Sequence, residues 1–518
     1  MKKQSIFRRI GAIMLCAALL GGCVGKPGSQ NTIGQNPPYT KESGESEKNI
    51  QGSLCVYLEA TYANPLPNYP IYQAIQSFAQ KHPELEIQFV SPGGGVSDYD
   101  AREAEITRLN AEIMAGGGPD LFLMGTRFTD SNLFPDLQKA MRNGAFLECG
   151  NLLQADGIDL DGNDFWPNLM QTGKVGAQQY IVPLSFDLLL GAADETTLQK
   201  SEFPSEVGNT EDFIAQCIKA YAKQGATTNL EEDLSVYMAK PLLDYNENRV
   251  QLQDTQVQKI LELNKQVQNN KEWMQGIQDF LQESKNNGLA SYEWREAKRL
   301  ASGERLMQIS DFSMILPSIR ALQKVGNEPV LRMVPNEEGG ATAMVRSYGM
   351  INANTKNPRA AAALLAYLLS DSAQGSNSWP NTVPELPVRR QSMAQALKSD
   401  YERRKNIWWL APTEEQKKEF CRQTGEAFEE VSEQEKQDYL DSLGGELNDS
   451  CISALEQICD KINAAHLQSL WYDSVSTGTS LPANKNVVQI YQSYLNDEIG
   501  LDRLVQQLEP YLQLYLYE

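Results

Sequence analysis

The sequence predicts an α/β protein of at least two domains, with a largely parallel sheet covered by helices on both faces. Three observations carry this. The 518-residue length exceeds the roughly 250–300 residues at which one hydrophobic core stops growing. Residues 53–124 alternate strand and helix patterns, strand first. A strand pattern leading into a helix returns at 344–369.

The chain opens on an address. Lys2, Lys3, Arg8 and Arg9 form a basic n-region, and the apolar run Ile10 to Leu20 is shorter than the about 20 residues that span a bilayer. Leu20-Gly21-Gly22-Cys23 then resembles the bacterial lipobox, whose Cys is lipidated after cleavage. A signal peptide over 1–22 and lipidation at Cys23 are therefore expected, the alternative being an ordinary signal peptide beside a chance cysteine. Residues 23–52 are rich in Gly, Ser, Asn and Pro and nearly lack large apolar side chains, so they read as a flexible tether.

The structured part begins at Ser53 to Glu59, an alternating β-prone run. Ile71, Ile75, Phe78 and Ala79 follow at helical spacing, and Pro83 stops that helix. Leu85, Ile87 and Phe89 alternate with Glu86 and Gln88, giving a second strand. A helix carrying Ile106, Leu109 and Ile113 ends at Gly116-Gly117-Gly118-Pro119, and Asp120 to Met124 is a third strand. Neither triple glycine is followed by Lys-Ser or Lys-Thr or fits GxGxxG, so both read as helix stop and loop rather than phosphate cradle.

Asp156 to Asp164 superficially resembles a calcium loop. Its glycine is misplaced and no Glu stands at the twelfth position, so it reads as a polar turn. Gly176 to Ala193 holds two strand-like runs around Pro183 and Asp187. Residues 205–305 are mostly helical and polar, Leu306 to Leu316 is a short buried segment, and Met344 to Ala353 is a strand. Asn357-Pro358 supplies an N-cap and a Pro at N1 for the helix Arg359 to Leu369. Residues 413–442 read as charge-dense, solvated helix, and Leu501, Leu504, Val505 and Leu508 give a closing helix ahead of Pro510.

Charge and composition exclude several classes. The net charge is −21 and the longest basic run past the first ten residues is Arg403-Arg404-Lys405, which argues against binding nucleic acid. Removing the signal would make the charge about −25. Two histidines, His82 and His466, leave little room for a multi-histidine metal site or a histidine-based triad. Beyond Cys16 and Cys23 stand Cys55, Cys149, Cys217, Cys421, Cys451 and Cys459. Without any CxxC they read mostly as buried free thiols. No metal or cofactor is expected.

Several segments together carry a resemblance. They are AIQSFAQKHPELEIQFV (Ala74 to Val90), ITRLNAEIMAGGGPDLFLMG (Ile106 to Gly125), Gln179 to Pro183, Ser302 to Ile309, Gly349 to Asn352 with Lys356-Asn357-Pro358, Leu386 to Arg389, and Leu514 to Glu518. In this order they resemble the family 1 extracellular solute-binding proteins, which deliver sugars and oligosaccharides to ABC importers. Two places depart from the family pattern. Gly191-Ala192-Ala193-Asp194 stands where Tyr-Asn-Lys is frequent, and Ser310-Asp311-Phe312 where Gly and Trp are usual.

The resemblance implies a two-lobe, type II periplasmic-binding-protein-like fold, with crossing strands joining the lobes and the ligand cleft between them. It implies lobe 1 at 53–186 and 348–400 and lobe 2 at 187–347 and 401–518, with crossings near Asp187, Tyr348 and Lys398. It further implies a monomer that takes a carbohydrate, works with ABC permease subunits and meets the membrane through its lipid, outside the cytoplasmic membrane. Sugars present C–H faces that pack on aromatic rings and hydroxyls that need fixed partners. On that chemistry the candidate ligand residues are Glu59, Tyr62, Asp120, Thr126, Asp187, Asp311, Phe312, Tyr348 and Trp379. Trp166, Trp294, Trp408 and Trp409 are further aromatic candidates, each with core or surface packing as its plainer role. For Asp120 the plainer role is a turn or capping carboxylate. The rival functions are a sugar-sensing subunit for a membrane receptor and a lipid-anchored glycan hydrolase, which would need two carboxylates.

Overall fold

The computed structural model describes residues 50–59, 70–91, 99–125, 133–134, 136–230, 232–270, 289–379, 384–424, 427–467 and 485–517. The signal, Cys23 and most of the tether lie outside them.

The first units follow the sequence pattern closely. Strand β1 (Gly52–Leu58), helix α1 (Pro70–Lys81), β2 (Leu85–Val90), α2 (Tyr99–Met114) and β3 (Leu121–Gly125) alternate as expected. β1 pairs in parallel with both β2 and β3. α1 buries Ile71, Ala74, Ile75 and Phe78, the stripe set by its 3.6-residue period. Helix α3 (Leu137–Arg142) follows, N-capped by Asp136.

Next comes β4 (Ile181–Asp194), one continuous strand of 14 residues rather than the two expected runs. Pro183 is tolerated because the pairing register shifts beside it, freeing the ladder from needing its missing N–H. The expected helical stretch contains α4 (Thr210–Gln224), β5 (Thr227–Leu230), a 3-10 turn at Leu234–Tyr237, a small hairpin (Leu243–Asp244 with Arg249–Val250), α5 (Thr255–Gln268) and α6 (Leu289–Ser302). The short buried segment at 306–316 resolves into β6 (Arg305–Asp311) and the start of α7 (Phe312–Lys324).

Then follow β7 (Pro329–Met333), β8 (Ala341–Ile351), α8 (Pro358–Leu368), β9 (Leu386–Pro387) and α9 (Met393–Lys405). Asn357 is the N-cap of α8, yet its side chain reaches the Ser53 carbonyl (2.6 Å) instead of capping its own helix. The chain closes with α10 (Glu414–Thr424), α11 (Glu433–Ser442), α12 (Asp449–Cys459), β10 (Ile462–His466), α13 (Lys485–Leu495) and α14 (Leu501–Tyr517). α14 runs through Pro510 rather than ending ahead of it, with Leu512 buried beyond the proline.

A ten-stranded sheet organises the chain, in the order β2-β1-β3-β8-β4-β6-β5, with β7 and β9 also on β4 and β10 on β8. It is mixed rather than largely parallel, because β8 runs antiparallel to both β3 and β4. β4 changes partner along its length. Ile181 to Leu188 pair with β8, and Leu189 to Asp194 pair with β6 and β7.

Two large apolar cores flank this change. One gathers β1–β3, α1, residues of β4 from Ile181 to Ala192, α7, α8 and α12. The other gathers α4, α5, β6, the Leu243/Val250 hairpin, α13 and α14. Phe312 and Ile315 of α7 and Leu455 of α12 also pack in the first. Lys398 lies inside α9. Cys55, Cys149, Cys217, Cys421, Cys451 and Cys459 are free thiols, and burial pushes the Cys217 thiol up to about 12. No helix among the described residues is long and apolar enough to cross a membrane.

Candidate functional site

The polar centre of the molecule lies where β4 and β8 run together. Their pairing carries two irregularities. Val345 pairs with Phe186 and Ser347 with Ser185, so Arg346 is an extra residue; Tyr348 then pairs with Pro183, so Leu184 is extra. Bulges re-aim side chains and are common beside functional sites. Here the bulge lets Arg346 Nη2 donate to Asp311 Oδ2 (2.6 Å). Tyr237 Oη donates to the other oxygen of the same carboxylate. Asp311 ends β6 and is the N-cap residue of α7, but its side chain makes no capping bond because it is committed to Arg346 and Tyr237.

One step along the ladder, the cross-strand pair Ser185 and Ser347 is capped by a carboxylate. Glu385, just ahead of β9, accepts from Ser185 Oγ and from Ser347 Oγ (3.2 Å). All three side chains are buried. Asp187 is two residues from Ser185 and shares its face of the strand. It is fully buried, and its Oδ1 accepts from the Leu188 N–H at 2.9 Å.

A third polar group caps the end of β1. Glu59 accepts from Arg102 of α2 and from Tyr57 Oη (3.0 Å). Burial pushes the Glu59 carboxyl above its usual range, opposed by the Arg102 guanidinium beside it. Burial likewise drives the Tyr57 phenol well up, with the Glu59 carboxylate adding to it.

The structure sorts the sequence candidates. Asp187, Asp311 and Tyr348 fall on or next to the crossing strands, and Glu59 closes the β1 end. Tyr62, Thr126 and the side chain of Trp294 lie outside the described residues. Asp120 is a correction: it precedes β3, at the end of the strand opposite the loop that leaves Gly125. Its carboxylate accepts from the Cys55 N–H (2.8 Å) and from Thr355 Oγ1 (2.5 Å), which makes it a turn carboxylate. Phe312 is a second correction, since its ring packs fully buried in the first apolar core. Tyr348 is also packed in that core.

Trp379 differs. It is fully buried yet belongs to none of the apolar clusters of described residues. Its Nε1–H has no hydrogen-bond partner among the described residues. Trp166 packs in the first core under Arg390, 4.0 Å from its ring centroid. Trp408 and Trp409 join an aromatic group with Phe420, Phe428 and Tyr439, on the helices after α9.

Sequence reasoning missed Arg102, Ser185, Tyr237, Arg346, Ser347 and Glu385. Only Arg346 carried a visible signal, a guanidinium inside the apolar strand Ala341–Ile351. The Gly191 departure has a packing reason. A Cβ there would lie 2.1 Å from Met307 Sδ of β6, so a larger residue would require the Met307 side chain to move. Asp194 of the same run caps the next helix by accepting from the Thr197 N–H.

In this assembly the donors and acceptors are buried and paired with one another. Among the described residues no group of three or more His, Cys, Asp and Glu is placed to hold a metal ion. Within the polar turn at 156–164, Asp161 pairs with Lys174 and Asp164 with Arg389. An open groove of about 430 Å³ between α5 and α14 shares no residue with the crossing strands.

A mixed sheet whose central strands serve two cores, with buried polar groups at the crossing, defines a two-lobe binding protein. Residues 63–375, more than half of the chain, match the bacterial extracellular solute-binding protein family, and the chain belongs to that family. It is a solute-binding protein of the ABC-transporter type.

Three solved structures share the fold. The sugar-binding protein MalE from Xanthomonas citri is 14% identical, with a TM-score of 0.56 over 90% of this chain and 98% of that one. A family 1 extracellular solute-binding protein from Alicyclobacillus acidocaldarius is 12% identical, with a TM-score of 0.53 over 91% and 100%. A de novo designed cysteine esterase is 14% identical, with a TM-score of 0.54 over 91% and 99%. At these identities the likeness speaks for fold alone, and the esterase shows that one scaffold hosts different activities. None of the curated proteins compared matches this chain.

Proposed function

We propose that this protein captures a carbohydrate, most simply an oligosaccharide, and hands it to an ABC importer while tethered by a lipid on Cys23. The observation that carries the reading is the buried polar set at the crossing: Ser185, Asp187, Ser347 and Glu385, with the fully buried Trp379 shortly before Glu385 in sequence. Hydroxyls removed from water need matched partners, and an unmatched one costs about 1–3 kcal/mol, which gives selectivity. The sugar-binding MalE of Xanthomonas citri, built on the same fold, supports the solute class. The signal-and-lipobox pattern at 1–23 supports the anchor, and residues 23–52 would then be the tether.

A thermal-shift screen of the signal-free chain against mono- and oligosaccharides tests the capture. A ligand at 100 times its Kd adds about 2.7 kcal/mol of stability and raises the melting temperature. A flat response across the panel rejects the carbohydrate reading, and cleavage of any panel member would favour the hydrolase instead. For the anchor, Cys23→Ser is expected to release the protein from membranes and to remove the lipid mass from its N-terminal peptide.

A further inference from the structure

Away from the crossing strands, three elements meet across the two cores. Helix α3 belongs to the first core through Leu137 and Met141. The Leu243/Val250 hairpin and α14 belong to the second. Between them, Tyr245 Oη donates to Asp136 Oδ2 at 2.9 Å, next to the α3 start. Lys139 Nζ donates to the Tyr515 carbonyl and sits 3.9 Å from the centroid of the Tyr515 ring. Arg142 Nη2 donates to Asn246 Oδ1 at 2.9 Å. The contacts are local to α3 on one side and distant in sequence on the other, 104 to 376 residues away.

Asp136 does two tasks with its two oxygens. Oδ1 accepts from the Lys139 N–H and caps α3, while Oδ2 takes the Tyr245 phenol. Burial and the Asp136 carboxylate together hold the Tyr245 and Tyr515 phenols above their usual range.

We propose that α3, the hairpin and the C-terminal turns of α14 form a clasp that holds the two lobes in their closed arrangement. Each contact joins α3, within the stretch 53–186 expected in lobe 1, to the hairpin or α14, within the stretches 187–347 and 401–518 expected in lobe 2, so opening the lobes along those bounds must break them together. The clasp uses none of the residues at the crossing strands, so it sets the open-to-closed ratio without touching solute. A closed form favoured before solute arrives raises apparent affinity by the fraction already closed. This rests on the reading that lobe closure captures the solute.

The test is small-angle X-ray scattering on the signal-free chain without any sugar, comparing wild type with Tyr245→Phe and Lys139→Ala. A hydrogen bond to a charged group corresponds to about a tenfold change in a two-state ratio. Both variants are expected to give a larger radius of gyration and a broader pair-distance distribution. Leu514→Ala, at an exposed neighbouring position on α14, is expected to leave the scattering unchanged. Unchanged scattering for Tyr245→Phe and Lys139→Ala, with cooperative melting retained, overturns the clasp. The sugar screen reads capture separately, so a failed screen with responsive scattering rejects the carbohydrate reading and leaves the clasp standing.

Discussion

Arg346 and Asp311 form a buried ion pair, Nη2 to Oδ2 2.6 Å, between the bulge of a crossing strand and the start of a helix. Tyr237 shares that carboxylate. Its 3-10 turn begins after Asp233, which accepts from Tyr491 of α13 at 2.9 Å. One short turn therefore links a C-terminal helix to the crossing strand.

Breaking that pair from one side should be costly. Asp311→Asn or Arg346→Met leaves a buried charge without this partner, a loss of about 3–5 kcal/mol in comparable cases. The double variant should cost less than the sum of the singles, with a coupling of about 0.5–3 kcal/mol. Urea denaturation of the four proteins measures it, and additive singles would mean that the pair is energetically inert.

Phe312 and Trp379 should separate in their effects. Phe312→Ala removes a ring from the first core, and such truncations cost about 3–5 kcal/mol of stability. Trp379 is fully buried too, so Trp379→Ala should cost a similar amount of stability, yet it alone should also lose about tenfold in affinity for whichever sugar the screen finds. Isothermal titration of both variants decides, and unchanged affinity for Trp379→Ala removes it from the site.

These contrasts show which parts of the molecule were legible in its sequence. Local periodicity placed Leu85–Val90 residue for residue, because alternation is a property of neighbours. The same alternation could not show that Ile181–Asp194 is one strand. A proline inside it is allowed only by a register shift against β8, which lies some 160 residues away. Glu385 was invisible for a related reason: its partners Ser185 and Ser347 are 200 and 38 residues distant, and nothing local marks any of the three. Phe312 was misassigned because an aromatic after a strand reads alike whether its helix turns the ring toward a cleft or into a core. Asp120 was misassigned for its place at the start of β3, since strand ends look equivalent until the sheet directions are known.

His466 offers a clean spectroscopic handle, because the chain holds only one other histidine. Its Nε2 lies 2.8 Å from the Met238 carbonyl, so the neutral ring donates there. Burial lowers its pKa below the usual 6.5, against the opposing effect of that hydrogen bond. A lowered folded-state value means that the stability from neutral His466 is present above pH 6.5 and is lost as pH falls through the folded pKa. A ring-nitrogen NMR titration, assigned with His466→Gln, should show one histidine titrating below 6.5. A His466 titration at or above that value would contradict the buried environment.

Asp400 should govern the acid limb of stability. Its carboxylate on α9 is buried and meets three guanidinium groups: Arg320 of α7 at 3.2 Å, Arg403 at 2.6 Å and Arg404 at 3.0 Å. Burial alone would raise its pKa, but the arginines outweigh it and hold the carboxyl at about 2 against an ordinary 3.8. The folded value is depressed, so this stability is full above the unfolded pKa and disappears as pH falls from about 4 through about 2. At 1.36 kcal/mol per pKa unit the amount is on the order of 2 kcal/mol. Asp400→Asn should lose stability at pH 7, because three cations are left crowded around a neutral amide. It should also show a shallower decline than wild type between pH 4 and pH 2. Urea midpoints of both proteins at pH 7, 4, 3 and 2 measure the two slopes. Parallel slopes would assign the acid sensitivity to other carboxylates and leave Asp400 with a packing role alone.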